Sequence, residues 1–187
     1  MPSTIPTASV KGAWRRFRRN RRGSAAVEFA LVAPAFFALL FAIIETGIVF
    51  FAGQVLETAT QDAARAVMTG QAQSQGLSQS QFKANDVCNL GSVANVLFVC
   101  NNISVDVESF KSFVGINLSP LVDANGNFTP TQYSPGQACD IVVVRVAYEW
   151  QLYVTGLGYN IASLPGGKRL LTGTAAFQNE PYNGQCP

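Results

Sequence analysis

A long apolar run near the N-terminus constrains the fold of this chain more than any other feature. Residues 29–53 carry one charged side chain, Glu45. At about 1.5 Å of rise per helical residue, such a segment crosses a hydrocarbon layer about 30 Å thick. It is also longer than the core of an ordinary secretory signal, about 7–15 residues. The run therefore predicts a membrane-spanning helix, which Pro34 should kink or loosen near its start.

A cationic tract stands directly before this run. Seven of the thirteen basic residues lie within residues 11–22, no acidic residue precedes Glu28, and all eleven acidic residues follow Gly23. Such a tract, with Trp14 and Phe17 available for stacking on bases, is also compatible with nucleic-acid binding. Its position beside a membrane span favours instead a flank that keeps the N-terminus in the cytoplasm. We therefore expect no nucleic-acid partner.

Helical periodicity continues beyond the apolar run. Residues 54–70 place apolar side chains at helical spacing among good helix formers, and Gly70 is a suitable stop signal. We expect one helix over about residues 24–69. Within it, residues 24–53 form the membrane-spanning part and residues 54–70 an extracytoplasmic extension, while residues 1–23 form a basic cytoplasmic leader.

Residues 71–187 read as a small mixed domain. A short helix is expected after a cap at Ser78 or Ser80, and residues 99–107, 140–154 and 168–177 alternate as strands do. The dipeptide Asn125-Gly126 signals a hairpin turn. The whole chain is therefore expected to be α+β, with a long N-terminal helix followed by a small antiparallel sheet.

The alternation also assigns faces to the strands. Val99, Ile103, Val105 and Val107 share one predicted face of the first strand, and Asp106 takes the other. In the second strand, an apolar row runs from Val142 to Leu152, with Arg145 and Glu149 opposite. We expect these charged side chains to lie on solvent faces.

The four cysteines all follow the apolar run, at Cys88, Cys100, Cys139 and Cys186. An even number in an exported domain indicates disulfides, whereas a cytosolic domain would keep reduced thiols. Three pairings are possible. We favour Cys88–Cys100, which closes a short loop between helix and strand, and Cys139–Cys186, which ties the C-terminal tail to the start of the long strand.

Nothing in the sequence supports catalysis. The chain has no histidine, which excludes histidine-dependent triads. Neither a nucleophile elbow nor a phosphate-binding loop occurs, and the absence of Cys-x-x-Cys pairs argues against zinc. The carboxylates are scattered and are interpreted as surface charge. We expect a protein that is not an enzyme and that holds neither metal nor cofactor.

Two motifs resemble a known family. Gly23 followed by an apolar helix with a glutamate at its fifth position, Glu28, resembles the class III signal of type IV prepilins. "RRGSAAVEFALVAP" together with "AFQNEPY" near the C-terminus, which contains Asn179, Glu180 and Pro181, resembles the TadE-like pseudopilins of tight-adherence (Tad) pilus systems. The resemblance covers both ends of the chain well and the middle loosely.

The resemblance implies a pilin-like fold and a role in pilus assembly. A prepilin peptidase would cut between Gly23 and Ser24, and Glu28 would set the register against other pilins or pseudopilins and the Tad assembly machinery. The protein would be a single-pass protein of the bacterial inner membrane with a periplasmic domain, incorporated as a minor subunit within or at the tip of the pilus. The alternative is an uncleaved, membrane-anchored periplasmic binding or scaffolding module.

Two carboxylates in the apolar helix need an explanation. A glutamate at the bilayer midplane costs about 2.5–3.5 kcal/mol. The α-amine that the cut would free at Ser24 is cationic, and such an amine about 4 Å from Glu28 returns about 4 kcal/mol at an effective dielectric constant of 20. Glu45 either reaches the outer interface or makes a polar contact with another helix, which Thr46 and Gly47 would allow to approach closely.

Overall fold

The computed structural model describes residues 23–89, 92–154, 159–182 and 186. The predicted leader, except for Gly23, lies outside these residues. The helices are α1 (Ser24–Met68), α2 (Gln71–Ser74), α3 (Gln79–Phe82), which continues into a π turn over Lys83–Val87, and α4 (Ser92–Leu97). The strands are β1 (Ile103–Phe110), β2 (Ile141–Gln151) and β3 (Lys168–Gln178). The α+β fold predicted from the sequence is confirmed.

Helix α1 ends one residue earlier than predicted, at Met68. Gly70 follows in the left-handed conformation with φ of 75°, and its N–H donates to the carbonyl of Val67 at 3.0 Å. A Cβ atom at this position would stand 2.5 Å from the ring of Tyr182. Only glycine therefore fits this helix end without strain.

The chain divides into two compact units, residues 1–43 and residues 44–187, and the division falls within α1. In the first unit, the described part of α1 contains Pro34 and leaves large apolar side chains such as Phe29, Leu31 and Leu39 exposed. By length and composition alone, the helix over Ala25–Met68 is long and apolar enough to cross a membrane.

The second unit is built on a three-stranded antiparallel sheet in the order β1-β2-β3. One face of this sheet carries Val107, Val144 and Ala175, which belong to one buried apolar cluster together with Leu56 and Val67 of α1. The part of the long helix from Leu56 to Val67 thus contributes to the domain core.

The opposite face of the sheet is not exposed to solvent at Asp106 and Arg145, so the prediction for these two residues is wrong. Both residues are buried. The Arg145 guanidinium donates to Asp106 Oδ2 through Nε at 3.0 Å and Nη2 at 2.5 Å. The connection between β1 and β2 covers this pair, since Nη1 of Arg145 donates to the Ser119 carbonyl at 2.7 Å and the N–H of Gln132 donates to Asp106 Oδ1 at 2.7 Å.

Strand boundaries also differ from the sequence pattern. Val99 is exposed and precedes β1, because Cys100–Asn102 form a single 3-10 turn between them. Other local signals agree with the structure. Ser78 caps α3 in a reciprocal capping box with Gln81, and Gly126, at a φ of 81°, occupies the predicted tight turn.

Two disulfides join the cysteines in the pairings that the sequence favoured. Cys88–Cys100 links the end of the π turn to the 3-10 turn before β1. Cys139–Cys186 links the residue two before β2 to the C-terminal tail. Cys139 itself has a φ of 67°, a left-handed conformation that is unusual for a residue with a side chain.

Candidate functional site: the N-terminal helix and the Asn-Glu-Pro corner

The expected processing segment lies at the start of α1. Gly23 is exposed, and the helix begins at the next residue, Ser24. A Cβ atom built on Gly23 meets nothing within 4 Å. Glu28 is exposed and lies four residues after Ser24, so both positions share one helix face. The structure therefore places the peptide bond and the carboxylate one helical turn apart.

The surface around this segment is apolar on several sides. Val27, Phe29, Leu31 and Val32 are all at least 60% exposed, and they point in different directions around the helix axis. A helix that is hydrophobic all round is normally buried in a protein or in lipid. This part of α1 therefore has the surface of a segment made for a membrane or for other apolar helices.

Glu45 has a partner that the sequence analysis did not anticipate. Its side chain is buried, with a residue exposure of 8%. The carboxylate accepts the N–H of Tyr153 at 2.6 Å and the N–H of Val154 at 3.1 and 3.2 Å. Next to it, the hydroxyl groups of Thr46 and Tyr159 are hydrogen-bonded. Glu45 thus joins α1 to the segment that follows β2 in the same chain.

The expected C-terminal motif forms a corner that ties three parts of the domain together. Asn179 is 2% exposed, and its Nδ2 donates to the carbonyls of Pro135 at 2.9 Å and Gln137 at 3.0 Å. Its backbone N–H donates to the Asp140 carbonyl at 2.8 Å, and its own carbonyl accepts from Cys139 at 3.1 Å. We call these contacts the Asn-Glu-Pro corner.

Glu180 contributes to the corner through its backbone. Its N–H donates to the carbonyl of Met68, the last residue of α1, at 2.9 Å. Its side chain is exposed and makes no hydrogen bond or ion pair with any residue that the structure describes. Pro181, which follows, leads to Tyr182 against Gly70. The corner therefore connects the C-terminal end of α1, the start of β2 and the C-terminal tail.

A charged group supports the corner from the β1–β2 connection. Lys111 Nζ lies 2.8 Å from Asp140 Oδ1, and the N–H of Gln137 donates to Asp140 Oδ2 at 2.9 Å. Burial raises the pKa of Asp140, but the bonds from Lys111 and Gln137 outweigh it and leave the pKa below its ordinary value. The carboxylate is therefore held ionised where β2 begins.

The remaining acids do not form a site suited to acid–base chemistry. Arg145 Nη2 also contacts Glu108 Oε1 at 2.9 Å, so one guanidinium serves two carboxylates. Burial, followed by the nearby Asp106 carboxylate, raises the pKa of Glu108. Among the described residues, no three metal-binding side chains converge. A groove of about 740 Å³ beside β1 is open and is lined by groups of both charges, including Lys83, Glu149 and Lys168.

Comparison with known proteins adds one match. No curated protein and no solved structure matches the chain significantly. A family model described as TadE-like protein matches residues 23–65. The matched segment contains Gly23, Ser24, Glu28 and Glu45 and ends within α1, so it does not include the Asn-Glu-Pro corner. Residues 23–65 are thus similar to the TadE-like family, the family that the sequence resembles.

Proposed function

We propose that the protein is a minor pilin or pseudopilin of a Tad-type pilus. In this proposal a prepilin peptidase cuts after Gly23, and the mature chain joins pilus assembly, at the tip or the anchor of the filament, through α1. The TadE-like match over residues 23–65 carries the proposal. The spacing of Gly23 and Glu28 and the exposed apolar surface of α1 support it.

The proposed cut supplies a cationic group for Glu28. Water adds to the Gly23–Ser24 peptide bond, which leaves a carboxylate on Gly23 and an amine on Ser24. An α-amine is mostly cationic at neutral pH. At about 4 Å and an effective dielectric constant of 20, it attracts a carboxylate by about 4 kcal/mol, which offsets the cost of about 2.5–3.5 kcal/mol for a glutamate in the bilayer. The amine of a neighbouring subunit would therefore fix axial register.

The experiment is to replace Gly23 and follow the N-terminus of the membrane-extracted protein by mass spectrometry. A Cβ atom at Gly23 meets nothing within 4 Å, so Gly23→Leu blocks the cut without disturbing the helix. The parent protein should begin at Ser24, and the variant should keep residues 1–23. Gly53→Ala, at another open glycine of α1, is the matched control and should be cut normally. Retention of residues 1–23 in the parent protein would refute the proposal.

Glu28 separates the proposal from the uncleaved binding or scaffolding module. The open groove beside β1 is the observation that favours such a module. If the chain is only an anchored module, Glu28→Gln should leave its behaviour unchanged, because the side chain is exposed. If the chain assembles as proposed, the same change should reduce piliation while the domain stays folded.

A further inference from the structure

The contact at Glu45 lies nearer the N-terminus of α1 than several exposed apolar side chains that need a lipid environment. Ile48, Phe50 and Phe51 are 45%, 70% and 55% exposed, and all follow Glu45 in α1. Burying a side chain of this kind is worth about 1.5–3 kcal/mol relative to water. Where α1 spans a membrane with its N-terminus in the cytoplasm, lipid therefore has to reach Phe51. Glu45, six residues earlier, then lies about 9 Å deeper along the axis.

The partner of Glu45 has to lie at the same depth. The N–H groups of Tyr153 and Val154 are within 2.6–3.2 Å of the carboxylate. A side chain in a helix leans towards the helix N-terminus, which here is the direction of the bilayer. The backbone of residues 153 and 154 is therefore level with exposed apolar parts of α1 and not above them.

Each side of this contact satisfies the polar groups of the other. A non-helical N–H group without a partner in hydrocarbon costs several kcal/mol, and the Glu45 carboxylate supplies acceptors for two of them. A lone glutamate at membrane depth is costly in turn, and two N–H groups stabilise its charge. The Thr46 and Tyr159 hydroxyls pair with each other in the same way.

The composition of the segment suits the same environment. Residues 151–167 contain no charged side chain, although the chain on either side, at Glu149 and Lys168, is charged. Tyr153 is 86% exposed. A tyrosine ring with a polar tip prefers the boundary between headgroups and acyl chains.

We propose that Tyr153, Val154 and Tyr159 enter the outer leaflet of the membrane beside α1, held there by Glu45. The domain is thereby seated on the lipid surface by two segments, the helix and this strap. The inference goes beyond the proposed function. It rests on that proposal only in that α1 spans a membrane, and it does not depend on cleavage or on a pilus.

The test uses the full chain in phosphatidylcholine vesicles with bromine atoms on the upper acyl chains, which quench tryptophan nearby. Tyr153→Trp adds a probe on the strap. Phe36→Trp, at a 57% exposed position of α1, reports insertion of the helix, and Val114→Trp, at an 89% exposed position of the β1–β2 connection, is the control for the domain surface. Trp14 and Trp150 give the same background in all three variants, and the parent protein measures it.

The proposal expects brominated lipid to quench most of the fluorescence added by Tyr153→Trp and by Phe36→Trp, but little of that added by Val114→Trp. Quenching of Phe36→Trp without quenching of Tyr153→Trp overturns the strap and leaves the anchor and the proposed function standing. Quenching of neither overturns both the strap and the membrane anchor.

A second substitution tests the role of Glu45. Glu45→Ala removes both acceptor oxygens and should abolish most of the quenching of Tyr153→Trp while that of Phe36→Trp is unchanged. Glu45→Gln keeps one acceptor oxygen and should retain part of it. Full quenching of Tyr153→Trp in the Glu45→Ala background would show that Glu45 does not hold the strap.

Discussion

The Asn-Glu-Pro corner makes a prediction in which two neighbouring residues of one motif behave oppositely. Asn179 donates two hydrogen bonds from a side chain that is 2% exposed, whereas the Glu180 side chain is exposed and only its backbone is engaged. Substitutions at Asn179 should therefore destabilise the domain, and Glu180→Ala should leave its stability nearly unchanged.

The magnitude follows from what each substitution leaves behind. Asn179→Leu removes two hydrogen bonds worth about 1 kcal/mol each. Both carbonyl acceptors keep another donor, since Gln73 Nε2 also donates to Pro135 and the Asp140 N–H to Gln137. The loss should therefore be about 2 kcal/mol. Asn179→Asp also points a buried charge at those carbonyls, and we expect a loss of about 3–5 kcal/mol.

The assay is urea unfolding of the full chain in detergent with its disulfides intact, followed by Trp150 fluorescence. With a slope of about 2 kcal/mol per molar urea, the midpoint should fall by about 1 M in Asn179→Leu and about 2 M in Asn179→Asp. The gap between Asn179→Asp and the parent protein should narrow at pH 4, because a protonated carboxyl donates one hydrogen bond again. A midpoint for Asn179→Asp equal to that of Glu180→Ala would refute this account.

Two further predictions concern the contact between α1 and the sheet and the ionised group at the corner. In Gly173→Ala, the new Cβ atom would lie 2.9 Å from Thr60 Cβ and 3.0 Å from the Leu56 carbonyl oxygen. The resulting overpacking should lower the free energy of unfolding by about 1–3 kcal/mol in the same assay. Gly53→Ala should be neutral or slightly stabilising, because it replaces an open helical glycine. Asp140 has a folded-state pKa below its ordinary value of 3.8, so its contribution to stability is complete above that value and is lost as the pH falls through the folded-state pKa. An acid titration of the unfolding free energy should therefore be flatter below pH 4 in Asp140→Asn, and identical curves for the two proteins would contradict this assignment.

Local and periodic signals account for the parts of the fold that the sequence could predict. The apolar run and the helical spacing after it indicated α1 to within one residue of its end, because a helix depends mainly on neighbours three and four residues apart. The alternation of apolar and polar residues located β2 and β3, because it too is a pattern between near neighbours in the sequence. The turn at Gly126 and the cap at Ser78 were also predictable, since both are short-range hydrogen-bonding patterns.

The predictions failed where a distant segment determines the environment. Alternation shows that Asp106 and Arg145 leave the apolar face, but it cannot show that the β1–β2 connection covers the other face. The register of β1 and β2 places the two residues directly opposite each other, where opposite charges attract, but the sequence alone does not give that register. The contact of Glu45 with Tyr153 spans 108 positions, and no periodicity in a single sequence reveals such a pair.

The order of α1 and β3 along the chain has a consequence for biogenesis. Gln61 of α1 bonds to the Thr174 carbonyl of β3 at 3.4 Å across 113 positions, and the corner that closes the helix end follows β3 directly. In the proposed orientation, α1 emerges before β3. The domain therefore cannot complete its core until β3 has been translocated, and until then the face of α1 around Leu56 and Thr60 stays uncovered. In the proposed orientation, a chain that stalls before residue 168 would leave that face open to periplasmic chaperones and proteases.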